Sequence, residues 1–216
     1  MVGSAVKAKA ISAMAAALVL GLIGPAVAEE WTGLHLTFGL SGSSTDLQTV
    51  FDAGNTGQPG DSIAPYVAAG YDWAYGDLTL GLMGDVDFGG VEQVDLVSAG
   101  KGLYGETDWF ATLRARAGMP VGDKMHLYAS GGVALMKTGA TGKDIDSVVT
   151  KGSSQTLKGA VIGLGAEYLL APGRHLSFEY LYADFEQSDV YLQSSPNQGT
   201  FDPTVSAFRV GYTFRF

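Results

Sequence analysis

Arg114 and Arg116 stand two residues apart, a third arginine lies at Arg209, and acids stand at Asp85, Asp87, Glu167 and Glu179. Residues two apart in a strand share a face, so Arg114 and Arg116 point the same way. Where such a face is enclosed, its charges must be paired, because an unpaired ion in a low-dielectric interior is costly. Two chemistries fit these residues. One is an ion-pair network that fills and stiffens an interior; the other is a charged constriction that selects what passes. Glu179, Glu167 and Arg209 are expected at similar heights, with Glu179 the best candidate partner for Arg114.

Other chemistry is thinly supported. His35, His126 and His175 lack metal-ligand spacing, and the chain has no cysteine, which excludes disulfides and thiolate metal sites. There is no Ser-His-Asp order and no phosphate-binding loop. The expectation is no catalytic residue, no metal and no cofactor. With 13 basic against 22 acidic residues and a net charge of −9, nucleic acid is not an expected partner.

The elements that must carry these residues alternate with period two. Phe208, Val210, Tyr212, Phe214 and Phe216 interleave with Arg209, Gly211, Thr213 and Arg215. The same pattern gives strands near 31–41, 63–74, 78–88, 107–118, 125–137, 157–169, 175–185 and 205–216. One face of each strand is apolar and uncharged. The other holds Asp72, Asp85, Asp87, Arg114, Arg116, Glu167, Glu179, Arg209 and Arg215 among small residues. Bulky apolar residues outside and small ones inside suit a narrow barrel in lipid. In that register Val210 faces lipid, and Gly211→Ser, on the inner face, is expected to be tolerated.

The connections support this. Gaps 42–62, 89–106, 138–156 and 186–204 are long, while 75–77, 119–124 and 170–174 are short. Strict alternation of long and short is the pattern of a transmembrane barrel with short periplasmic turns and long outer loops. The predicted fold is all-β, an eight-stranded antiparallel up-and-down transmembrane β-barrel over residues 29–216. Asp46, Asp52, Asp61, Glu92, Asp95, Glu106, Asp144, Asp146, Glu186, Asp189 and Asp202 make the loop rim acidic.

Residues 1–28 read as a secretory signal peptide. Lys7 and Lys9 precede an apolar stretch, Ala13 to Ile23, too short to span a bilayer. Gly24-Pro25 breaks it, and Ala26-Val27-Ala28 is a small-x-small cleavage site, placing the cut between Ala28 and Glu29.

Three segments then carry a resemblance. Thr107 to Gly118, TDWFATLRARAG, Leu127 to Ala134, LYASGGVA, and Phe178 to Phe185, FEYLYADF, resemble the outer-membrane β-barrel family of Gram-negative bacteria, its small eight-stranded porin-like surface proteins. Leu181 stands where that family often has arginine. The resemblance implies export through the general secretory pathway to the outer membrane, and contact with membrane lipid and lipopolysaccharide. It also implies periplasmic chaperones and the barrel-assembly machinery as partners during biogenesis, with Tyr212, Phe214 and Phe216 as the assembly signal. A monomer is expected. The implied role is structural and surface-exposed, with a narrow porin-like channel as the alternative. Arg174-His175-Leu176-Ser177 also resembles the H-x-S of outer-membrane lipid A deacylases. Here, however, it follows the short Pro172-Gly173 turn and lies on the inward register, away from the outer leaflet.

Overall fold

The alternation of small or polar with bulky apolar residues becomes a closed sheet in the computed structural model. It describes residues 28–51, 54–56, 60–90, 96–98, 101–144, 149–186, 188–190 and 199–216. The expected signal peptide, apart from Ala28, lies outside the described residues, as do Asp52, Glu92, Asp95 and Asp146 of the acidic rim.

Eight long strands form the wall: β1 Gly33–Phe51, β2 Gly60–Tyr75, β3 Leu78–Gly90, β4 Lys101–Val121, β5 Met125–Asp144, β6 Val149–Ala171, β7 Arg174–Phe185 and β8 Gly199–Arg215. Three-residue strands at Gly54–Thr56, Leu96–Ser98 and Ser188–Val190 pair beside β1, β4 and β8. Each long strand pairs antiparallel with its sequence neighbour, and β8 returns to β1, from His35 opposite Arg215 to Val50 opposite Thr200. Closure leaves no open sheet edge in lipid. At the seam the Phe216 N–H donates to the Leu34 carbonyl at 2.8 Å.

The short connections are tighter than expected, at 76–77, 122–124 and 172–173. Gly76, Gly122 and Gly173 carry them with φ of 63°, 63° and 68°, in the left-handed region that glycine enters at no steric cost. The strands are much longer than expected at the other end: β6 has 23 residues and β4 has 21. About 9–11 tilted residues cross a bilayer, so these strands continue into segments that read as loops. The Ser-, Thr- and Gly-rich runs there lack alternating hydrophobicity, yet the antiparallel ladder extends through them.

The register is as expected on every strand. Arg209 is 0% exposed while Val210 is 38% exposed. Leu34, Phe38, Leu82, Leu113, Val133, Phe178 and Phe208 face outward. Trp31 differs. It belongs to a short 3-10 helix, Ala28–Trp31, whose indole turns into the short-turn end of the barrel and is 2% exposed.

A candidate functional site in the barrel lumen

Inward side chains stack in layers from the short turns towards the loops. At the bottom, Trp31 closes the mouth. Its ring stacks on His126 (5.2 Å, 15°) and tilts against His175 (4.7 Å, 48°). Thr79 Oγ1 lies 2.7 Å from His126 Nε2, and His35 Nε2 lies 3.6 Å from Asp72 Oδ2. No group of three or more His, Asp or Glu side chains is placed to hold a metal ion among the described residues.

Above Trp31 sits a balanced ring of two arginines and two acids. Arg116 donates from Nε to Asp72 Oδ1 at 2.7 Å and from Nη1 to Glu167 Oε1 at 2.8 Å, and its Nη2 also meets Asp72 Oδ2. Arg215 donates from Nη1 to Asp72 Oδ2 and from Nη2 to Glu167 Oε2, each at 2.8 Å. Arg215 Nη1 also reaches the Trp31 carbonyl at 2.7 Å, which ties the plug to the ring.

The next tier holds Asp85, Asp87, Arg114, Glu179 and Arg209. Arg114 grips Glu179 through Nη1–Oε1 at 2.7 Å and Nη2–Oε2 at 3.0 Å, and Nη2 reaches Asp85 Oδ2 at 2.7 Å. Arg209 donates to Asp85 Oδ1 at 2.7 Å and to Asp87 Oδ2 at 2.8 Å. Thr112 donates to Asp85 Oδ2 at 2.5 Å, Ser41 to Asp87 Oδ2 at 3.3 Å and Tyr128 to Glu179 Oε1 at 3.1 Å. The arginine faces are used too: Arg116 lies 4.6 Å over Tyr128 and Arg209 lies 4.9 Å over Tyr66.

Two expectations need correction. Glu167 is not level with Glu179 and Arg209. Glu167 pairs across the ladder with Ser177, one inward position below Glu179, so it joins the lower ring. Nor is Gly211 a tolerant inward site. A Cβ there would lie 2.7 Å from Thr37 Cγ2 and 2.8 Å from Ser177 Oγ, and would also collide with the Tyr66 hydroxyl. Inward glycines make room for the network: side chains at Gly81 and Gly165 would run into Asp72 and Tyr128.

Sequence reasoning left Asp72 and Arg215 out of the network, although their inward register and charge were legible. It also missed the third layer. Towards the loops the lumen is apolar, filled by Phe110, Ala134, Met136, Leu157, Val161, Leu181, Phe185 and Val205. Leu181 therefore packs in an apolar tier where an arginine would need a partner.

His175 and Ser177 are both buried on inward positions. Neither His175 ring nitrogen nor Ser177 Oγ has a hydrogen-bond partner among the described residues, so they do not form a nucleophile–base pair. Tyr212, Phe214 and Phe216 lie on the outward face of β8, with Phe216 at the seam. Ala28 and Glu29 lie in the short helix that leads to Trp31.

Known proteins similar to this chain include outer-membrane barrels. The family described as outer membrane protein beta-barrel domain matches residues 11–214. The 31 kDa outer-membrane immunogenic protein of Brucella melitensis is 32% identical over 164 residues, covering 69% of this chain and 65% of that protein. The present chain thus spans just under two thirds of that relative's length. The 22 kDa outer membrane protein of Rhizobium leguminosarum bv. viciae is 26% identical over 191 residues, covering 87% of this chain and 80% of that one. Among solved structures, OprG of Pseudomonas aeruginosa superposes with a TM-score of 0.56 at 14% identity, covering 86% of this chain and 96% of that one. Ail, the attachment invasion locus protein of Yersinia pestis, gives 0.50 at 14% identity over 86% and 99%. These structural likenesses bear on the fold. The family match, the outer-membrane relatives and the closed antiparallel barrel agree, and the chain belongs to the outer membrane protein β-barrel family of the Gram-negative outer membrane.

Proposed function

We propose that the protein is a closed, non-enzymatic barrel that contributes to envelope structure and presents its long loops outward. The observation that carries this reading is the filled lumen. Trp31, two tiers of ion pairs and an apolar layer stack in series along the barrel axis. Eight strands enclose little more than their own side chains, and each charged tier is cross-linked by arginines that contact two or more acids. Against lipid A deacylation stands the inward, buried setting of His175 and Ser177, which separates them from any acyl chain outside the wall.

Biogenesis follows the same reading. The leader at 1–28 directs export through the general secretory pathway, and the Tyr212, Phe214 and Phe216 face of β8 engages the assembly machinery. The mature barrel works as a monomer against lipid and lipopolysaccharide. Planar-bilayer recording of the refolded protein tests closure, with no resolved single-channel steps expected. Regular conductance steps would replace this reading with the narrow-channel one. Release of fatty acid from lipopolysaccharide by the purified barrel would overturn its non-enzymatic part.

A further inference from the structure

The upper ion-pair tier is not balanced. Among the described residues Asp85, Asp87 and Glu179 face two arginines, Arg114 and Arg209, so the tier holds one more acid than arginine. The shortfall falls on one atom. Asp85 and Glu179 use both carboxylate oxygens on partners. Asp87 uses Oδ2 for Arg209 and Ser41, while Oδ1 is buried with no hydrogen-bond partner among the described residues. Asp87 is 6% exposed, so water bathing the surface does not compensate it.

Asp87 also lines a cavity of about 20 Å³ on the loop side of the tier. The cavity wall is mixed. Ser41, Ser43 and Ser62 contribute hydroxyl groups to its lining together with Asp87, while Phe110, the cross-strand neighbour of Asp87, and Met136 contribute apolar surface. About 10–15 Å³ admits one water-sized occupant. A carboxylate oxygen and neutral hydroxyls are hard donors, the kind that alkali and alkaline-earth ions take. A calcium site normally draws 6–8 oxygens with several carboxylates; here, among the described residues, one carboxylate oxygen is unpartnered and the acids exceed the arginines by one.

The geometry points to a binding site for a single small monovalent cation, Na⁺ or K⁺, held between Asp87 Oδ1 and the serine hydroxyls and completing the upper tier. The ion makes the tier electrically neutral, caps its unpartnered carboxylate oxygen and separates it from the apolar layer. It is a structural ion, independent of whether the lumen conducts.

The test is the folding equilibrium of the full mature barrel in lipid vesicles, followed by urea titration after refolding in the chosen salt. Sodium or potassium chloride is exchanged against N-methylglucamine chloride at constant ionic strength, since the organic cation is too large for the cavity. For one ion bound to the folded state only, a tenfold rise in Na⁺ or K⁺ above its dissociation constant raises the folding constant about tenfold. Asp87→Asn should abolish that dependence and fold equally well in either salt. Should Asp87→Asn fail to refold, Ser43→Ala with Ser62→Ala carries the test, and severalfold more cation should then be needed for half-maximal stabilisation. Three results overturn the site. One is stability that follows ionic strength regardless of cation, in wild type and variant alike. Another is a response to calcium alone. The third is a carbon-13 spectrum showing Asp87 as a neutral acid at pH 7 in saturating sodium, because a protonated carboxyl removes the excess charge without an ion.

Discussion

Arg114 holds Glu179 with both guanidinium arms, at 2.7 and 3.0 Å, yet Glu179 is not its only acid, because Asp85 lies 2.7 Å from the same Nη2. This sharing reshapes the expected energetics. Arg114→Met leaves three acids facing Arg209 alone and should cost about 3–5 kcal/mol, as for a broken buried pair. Glu179→Gln keeps Arg114 on Asp85 and should cost only about 1 kcal/mol, the scale of weakened hydrogen bonds. The double variant should depart from additivity, since the two residues touch. Urea unfolding in vesicles measures all three, and equal costs for the two single changes would contradict the shared arrangement.

The wall register predicts opposite penalties at adjacent residues. Val210 faces lipid, so Val210→Arg should cost about 2–4 kcal/mol if it lies near the midplane. Gly211 faces Tyr66, Thr37 and Ser177, so Gly211→Ser should be destabilising through overpacking, in the range of about 1–3 kcal/mol. Phe208→Leu, outward and lipid-facing, should be close to neutral. A Gly211→Ser barrel as stable as wild type would mean that Tyr66 moves aside freely.

Trp31 should be the protected tryptophan of the three. In a variant with Trp73→Phe and Trp109→Phe, its fluorescence should resist acrylamide, because the ring is buried and stacked on His126. Trp31→Ala should lower stability by about 3–5 kcal/mol, as for other large-to-small changes at buried aromatic sites. Quenching of Trp31 as fast as of the half-exposed Trp73 would show that the plug is not seated.

Deleting Phe216 should reduce the amount of barrel assembled in the outer membrane. Its N–H closes the seam to Leu34, and its ring ends the aromatic face of β8. Heat-modifiable mobility on gels of isolated outer membranes gives the yield. The same yield with and without Phe216 would remove the assembly role.

Much of the fold was legible in one dimension because a barrel wall is a local pattern. Period-two alternation sets which face of β8 meets lipid, and Gly76, Gly122 and Gly173 mark the tight turns on their own. The inward charges were legible for the same reason, since an arginine on the small-residue face has nowhere to point but the lumen. Their partners were not. Strand tilt and stagger decide which inward residues share a height, and those offsets put Glu167 level with Ser177 rather than Glu179. Chain pairing through Ser-, Thr- and Gly-rich runs likewise has no hydrophobic signature, so the extensions of β4 and β6 read as loops.

Trp31 and the apolar tier show the same limit from the other side. An aromatic residue at a strand start reads alike whether it girdles the membrane or turns inward. Only the space beneath Arg215, and the carbonyl that Arg215 Nη1 holds, bring Trp31 into the mouth. Phe110, Met136 and Leu181 look like lapses in a polar face until opposite walls meet and they fill one another's gaps. Alternation along the chain settled which side each residue faces. Contacts across the lumen, between strands far apart in sequence, decided what each residue does there.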